Sequence, residues 1–378
     1  MIQQQWCMVV FYSLFLLTTT SCLAGSKNNK RKKAFVTIVT DEEHIEPAMV
    51  MGSSLRAMTR SSTSSEEYIC LVLRKEDIED EFGDDDKNTV GISLLDRKKL
   101  TYAGWTTRPL SHSITYNIYD SNNDLLSSSW NMMDWNQLWL WSLEEEYERI
   151  LYLDVDILIL QNVTDLFQRN VHFAAAPQLF SSHQFDIGVM VVQPNIVTFE
   201  DMLRKMKTLR KENVKKMRKT ASLQDFLNDY FSEWNSWSIE HRLSPIYNAP
   251  FDWTQQRDDE NSSWKRFRSD IKLIHFTDGN KPWHILRESN PSVSKYGAPI
   301  IYVWAIVLYF IANPLVLFDN KTNSNPQRRQ QYPLEEETRY VLTKVFDITK
   351  SSKKVAAYME KIKRGGTRSR IGHDGGEL

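Results

Sequence analysis

One thirteen-residue stretch sets the terms for the whole chain: ERILYLDVDILIL, residues 148–160. Ile150 to Leu153 and Ile157 to Leu160 read as buried strand, since short continuous apolar runs suit strands covered on both faces. Asp154 and Asp156 interrupt the run with only Val155 between them. Two anions in such surroundings are costly unless something neutralises them. In an open α/β sheet, ligands bind beyond the carboxyl ends of the strands, and the pair follows RILYL where such a strand would emerge. Period-two alternation puts both carboxylates on one side. Two hard oxygen donors there suit Mg²⁺ or Mn²⁺, which can in turn clamp a diphosphate. The competing reading is a pair of aspartates capping backbone amides in a turn.

The rest of the chain predicts a sheet to carry that pair. KAFVTIVT (33–40) is short, β-branched and strand-like, and EPAMVMGSSLRAM (46–58) places Ala48, Met51, Leu55 and Met58 at helical spacing. EEYICLVLR (66–74) is a second strand, so the order strand, helix, strand begins an α/β sheet with parallel strands. WNQLWLWSL predicts a helix running into the aspartate-bearing strand. FDIGVMVVQP (185–194) is another strand, 197–234 reads as helices with a solvated basic face, and IKLIHFTDGNKPW (271–283) is a late strand entering a polar loop. The acidic run at 76–87 reads as a solvated loop.

Composition narrows the partners. A formal net charge of -1 matches no phosphate backbone, so no nucleic acid is expected. Cys7 and Cys22 lie in the N-terminal apolar segment, leaving Cys70 alone and allowing no internal disulfide once that segment is removed. Residues 1–24 resemble a signal peptide, with an uncleaved anchor as the other reading, and 25–33 form a basic linker. Residues 298–318 contain no charged residue in 21 positions, enough to span a bilayer; a helix buried on the sheet is the alternative. Residues 319–378 read as a charged, flexible tail. These features predict entry into the secretory pathway, with the domain in the Golgi or endoplasmic reticulum lumen. The sequon at Asn162 directly follows the acidic strand, where burial is expected to exclude a glycan.

HFTDGNKPW adds His275 at a strand end and Lys281 in the loop after it. A histidine can be a third ligand to such an ion, and an ammonium can neutralise phosphate oxygens. Alone, each is commonly an ordinary core or loop residue. Together with VTIVTDEEHIEPAMVMGSSLR, YERILYLDVDILILQNVTDLF and FDIGVMVVQP, the ordered set resembles the retaining glycosyltransferases of family 8, the group of glycogenin, galactinol synthase and the plant glycogenin-like glucuronosyltransferases.

That resemblance, over roughly residues 33 to 285, implies a GT-A-like, Rossmann-type α/β domain at about 34–290, with a mixed, mainly parallel sheet. It implies transfer of a hexose or hexuronic acid from a UDP-sugar to a hydroxyl on a glycan, glycolipid or protein. Asp154, Asp156 and His275 would ligate Mn²⁺ (or Mg²⁺), and Lys281 would contact the diphosphate. Thr40 and Asp41 would lie at the uracil, Val155 would offer backbone to the ribose, and Gly188 would let backbone approach the donor sugar. Gln224 would lie near the reacting face. The chain departs from the family where Gln137 replaces a lysine, Leu223 an acid, Asp186 an asparagine and His44 a tyrosine. Asp186 or Asp225 is the candidate to take over the missing carboxylate's work. Two rival readings are a non-catalytic nucleotide-sugar-binding relative and a phosphohydrolase with the same paired aspartates.

Overall fold

The structure is a computed structural model and describes residues 31–61, 65–75, 91–110, 134–178, 181–212, 222–255, 262–277, 279, 281–286, 293 and 297–308. The expected signal segment, the acidic run at 76–87 and the tail from 309 onward lie outside the described residues, as does the second half of the apolar segment at 298–318.

Among the described residues, six strands form the main sheet: β1 (Lys32–Val39), β2 (Glu67–Val72), β3 (Thr106–Pro109), β4 (Tyr147–Leu153), β6 (Phe173–Pro177) and β7 (Phe185–Val192). Their spatial order is β3-β2-β1-β4-β7-β6, the first four parallel and the last two joined by antiparallel pairing. The sheet is therefore mixed and mainly parallel. The chain runs outward from β1 through β2 to β3, then returns to place β4 on the other side of β1. That reversal makes the gap beyond the carboxyl ends of β1 and β4 the switch point at which α/β sheets bind ligands.

The apolar residues of β4 divide by alternation. Leu151 and Leu153 pack in one core layer with Phe35, Val39, Cys70 and Val189. Ile150 and Tyr152 pack in the opposite layer with Trp135, Leu138, Phe173 and Met190. Each leucine or isoleucine removed from water on folding contributes about 2 kcal/mol, so both faces hold the strand. Cover on the first face comes from helix α1 (Ile45–Thr59), which ends where Arg60 turns extended. Gly52 lets Trp105 lie against this helix: a Cβ there would sit 2.2 Å from the indole Nε1, which donates to the Ala48 carbonyl at 2.8 Å. Helix α2 (Leu94–Tyr102) was not expected from the sequence, and neither were β3 and β6. On the opposite face lie a 3-10 segment (Asp134–Ser142), helix α3 (Ile196–Glu212) and helix α4 (Leu223–Tyr230).

ERILYLDVDILIL is not one strand. Strand β4 stops at Leu153, Val155 and Asp156 form a turn, and Ile157–Ile159 begins β5 in a second sheet. That sheet has the order β5-β9-β8, with β8 at Ala249–Pro250 and β9 at Leu273–His275. Simple alternation along one strand is thus replaced by a turn that carries the chain between sheets.

The short helices α5 (Ser263–Phe267) and α6 (Pro282–Ile285) precede α7 (Gly297–Ile306), the described half of the apolar segment. Ile300, Ile301, Val303 and Trp304 are buried in a core with Phe251, Ile274 and Trp283. Among the described residues, no helix is long and apolar enough to cross a membrane. Asn162 is exposed, contrary to expectation, with its side chain accepting from the Thr164 amide at 2.8 Å in a tight turn.

Candidate metal centre

Asp154, Asp156 and His275 each offer a ligand atom, and the three atoms lie within 4.8 Å of one another. Each comes from a different end. Asp154 leaves β4, and its backbone amide donates to the Gly188 carbonyl at 2.9 Å. Asp156 ends the turn, with its own carbonyl accepting from Phe276 N at 2.9 Å. His275 closes β9 and pairs in register with Ile157, which places its ring beside Asp156.

The electrostatics are specific. Asp154 Oδ1 accepts from the Tyr152 hydroxyl at 2.6 Å, with Gln137 Nε2 further off at 3.5 Å. Asp156 Oδ2 receives Lys281 Nζ at 2.5 Å, and the same ammonium reaches the Phe276 carbonyl at 2.5 Å. Asp156 Oδ1 lies 3.2 Å from His275 Nε2 but is buried with no aligned hydrogen-bond donor. Burial opposes the charge on Asp156, yet His275 and Lys281 hold its pKa well below the usual carboxylate range. Burial likewise opposes protonation of His275, but the Asp156 carboxylate prevails and raises its pKa to about 9. A buried carboxylate oxygen without a donor, facing an imidazole nitrogen and a second carboxylate, fits a hard divalent cation of the Mn²⁺ or Mg²⁺ kind.

Gly188 has a steric role that the sequence did not suggest. A Cβ there would lie 2.3 Å from His275 Cε1, so the ring packs directly on the strand backbone. Asp186 Oδ1 accepts from Gly188 N at 2.9 Å and from Asn248 Nδ2 at 2.8 Å, while Asn248 Oδ1 sits 2.8 Å from His275 Nδ1. Gln224 approaches the same bend, its Oε1 3.4 Å from Ile187 N. Asp225 is exposed, and its carboxylate accepts from the Ser222 hydroxyl at 2.8 Å as part of the α4 N-cap. Asp225 thus lies at the start of α4 and takes part in its cap. Leu223 is fully buried in the core.

At the other side of the switch point, Thr40 is buried and its carbonyl accepts from Gly91 N at 2.8 Å. Asp41 caps the short 3-10 turn after β1, bonded to His44 N at 3.2 Å and His44 Nδ1 at 2.7 Å. Burial opposes charge on both, yet their pairing lowers the Asp41 pKa and raises that of His44. Val155 is buried in the core beside β4. Tyr152 and Asn248 escaped the sequence reading: the first looked like plain strand core, and a lone asparagine before Ala-Pro reads as a turn residue.

The family model described as "Glycosyl transferase family 8" matches residues 35–286. The chain is similar to glycogenin-2 of Homo sapiens, 26% identical over 288 residues, covering 72% of this chain and 49% of that protein. It is similar to inositol phosphorylceramide glucuronosyltransferase 1 of Arabidopsis thaliana, 26% identical over 268 residues, covering 66% of this chain and 42% of that protein. The chain thus spans about half the length of these curated relatives. Among solved structures, the glycosyltransferase GlyE of Streptococcus pneumoniae overlaps with a TM-score of 0.47 at 16% identity, over 76% of this chain and 62% of that one. With its model matched across the α/β domain from β1 to α6, the chain belongs to glycosyltransferase family 8.

Proposed function

We propose that this glycosyltransferase moves a hexose or hexuronic acid from a UDP-sugar to a hydroxyl acceptor, retaining configuration, with Mn²⁺ (or Mg²⁺) required. The observation that carries the reading is the convergence of Asp154, Asp156 and His275, with Lys281 beside them, at the switch point of a family 8 chain. The uracil would sit at Thr40 and Asp41, the ribose against the Val155 backbone and the sugar toward Gly188 and Gln224. The bond from the anomeric carbon to the β-phosphate oxygen breaks with its electron pair going to UDP. The acceptor oxygen bonds that carbon from the same face, and its proton passes to the departing phosphate. Lys281 would stabilise the growing phosphate charge. A divalent ion held by the two aspartates and the histidine supplies further positive charge against the diphosphate.

Asp154→Ala is expected to abolish metal-dependent UDP-sugar turnover; full activity in that variant would refute the assignment. A screen of UDP-glucose, UDP-galactose, UDP-N-acetylglucosamine and UDP-glucuronic acid identifies the donor. The names of the relatives, glycogenin and inositol phosphorylceramide glucuronosyltransferase, favour a protein, glycan or glycolipid hydroxyl as acceptor. The reading includes lumenal residence in the secretory pathway, which a glycosidase-sensitive mass shift at Asn162 tests. For the apolar segment at 298–318, burial of Ile300, Ile301, Val303 and Trp304 in the core favours the buried helix over a membrane association.

Two departures favour a second reading, a nucleotide-sugar-binding relative without turnover. Leu223 is buried where the family has an acid, and Gln137 brings an uncharged amide to Asp154. Binding of UDP with Mn²⁺ but no turnover of any donor would decide for it.

A further inference from the structure

Asn248 is a buried amide whose two ends are both engaged. Its backbone amide already serves the short 3-10 turn Pro245–Tyr247 by donating to the Pro245 carbonyl at 3.0 Å, so the side chain is not needed to end that turn. The side chain instead spans the gap between His275 Nδ1 and Asp186 Oδ1, at 2.8 Å from each. Burying an amide is costly unless its hydrogen-bonding groups find partners, and these two meet that cost.

The direction of the chain of bonds follows from the acid at its end. A carboxylate accepts hydrogen bonds and donates none, so the Asn248 NH₂ must face Asp186. The Asn248 carbonyl oxygen therefore faces His275, and the hydrogen between them must belong to Nδ1. That leaves Nε2 as the ring atom turned toward Asp156, at 3.2 Å. Asp186 is itself held by the Gly188 amide at 2.9 Å, on the same glycine whose missing Cβ makes room for the ring. The ring is thus fixed sterically by Gly188 and in tautomer by Asn248.

We infer that Asn248 is a positioning residue of the metal centre, acting through His275 by fixing its Nδ1–H tautomer so that Nε2 carries the ligating lone pair, with Asp186 as the anchor of the relay. This inference rests on the metal-centre reading above. It assigns Asp186 to orienting the ligand rather than to sugar chemistry. Partners that orient a metal-bound histidine in this way fix its ring and raise its basicity, and removing one typically weakens metal binding about 10–100-fold.

The test is a titration of Mn²⁺ alone into the full chain, with free Mn²⁺ read by electron paramagnetic resonance and no nucleotide present. His275→Ala, Asn248→Leu and the double variant are compared, each with its melting temperature. Asn248→Leu is expected to weaken Mn²⁺ binding about 10–100-fold. In the His275→Ala background the same substitution is expected to cost less than about twofold, because its effect passes through the ring. A loss that persists undiminished in that background, or an Asn248→Leu affinity within about twofold of the unsubstituted chain, overturns the relay. If His275→Ala itself leaves Mn²⁺ affinity unchanged, the metal-centre reading falls as well, which separates the two failures. Should Asn248→Leu not fold, Asp186→Ala at the partly buried end of the relay reads the same coupling: weakening that vanishes without His275 supports it, and unchanged binding overturns it.

Discussion

Lys281 Nζ lies 2.5 Å from Asp156 Oδ2, so the ammonium proposed for the diphosphate neutralises a proposed metal ligand. On the proposed reading, a lysine at this place would compete with the cation for one carboxylate and would help a diphosphate bind beside it. Lys281→Met is therefore expected to move two affinities in opposite directions. Mn²⁺ binding without nucleotide tightens several-fold, while UDP binding in saturating Mn²⁺ weakens by about tenfold, the cost of roughly one charge-assisted contact. Calorimetric titrations of the metal and of UDP check this; loss of both affinities would mean a merely structural lysine.

Gly188→Ala is expected to leave a folded chain with a damaged centre. Its backbone is not in the left-handed region, but the new Cβ would fall 2.3 Å from His275 Cε1, and the ring rather than the strand gives way. Mn²⁺ affinity is expected to fall about 10–100-fold, as for loss of a ligand-orienting group. A near-normal melting temperature beside that loss distinguishes a displaced ligand from a broken sheet.

Protonation of His275 sets a pH dependence with two opposite signs. Its folded pKa of about 9 lies above the ordinary histidine value. In the metal-free chain the pair with Asp156 thus contributes stability that is fully present below about pH 6.5 and lost as pH rises through 9. The depressed pKa of Asp156 adds stability present above the ordinary carboxylate range and lost only in strong acid. Melting temperatures in chelator are expected to fall between about pH 6.5 and 9, and His275→Gln to flatten that slope. Metal binding runs the other way: Nε2 must shed its proton, so Mn²⁺ affinity rises about tenfold per pH unit up to about 9. Proton release during Mn²⁺ titration in buffers of different ionisation enthalpy measures it.

Leu223→Asp would restore the carboxylate that the family carries at this position, yet it is expected to unfold the chain rather than improve it. Leu223 is 0% exposed, at the start of α4 and against the core that holds Phe226 and Leu227. An unpaired carboxylate in that place costs about 3–5 kcal/mol. Denaturant unfolding checks the loss; unchanged stability would show that the side chain can turn toward the site.

The strand-helix-strand opening and the mainly parallel sheet were legible because β1, α1, β2, β4 and β7 carry clear apolar periodicity. The short β3, Thr106–Pro109, and β6, with three consecutive alanines, carry little side-chain signal and were missed. The cluster of Asp154, Asp156 and His275 was legible because carboxylates in an apolar run are chemically conspicuous. Asn248 was not, since its meaning comes from a partner 27 positions away in β9 and another 62 positions away in β7. The same-side argument for Asp154 and Asp156 reached the right convergence by the wrong geometry, because a turn rather than a continuous strand joins them.

That turn has a mechanical consequence. Asp154 hangs from the six-stranded sheet, whereas Asp156 and His275 belong to the three-stranded one. An ion gripped by all three would act as a rivet through two plates, beside the turn at Val155 and the Asn248 link from His275 to Asp186. Filling the site would then stiffen the seam itself, slowing amide exchange along β5 and β9 well away from any sugar.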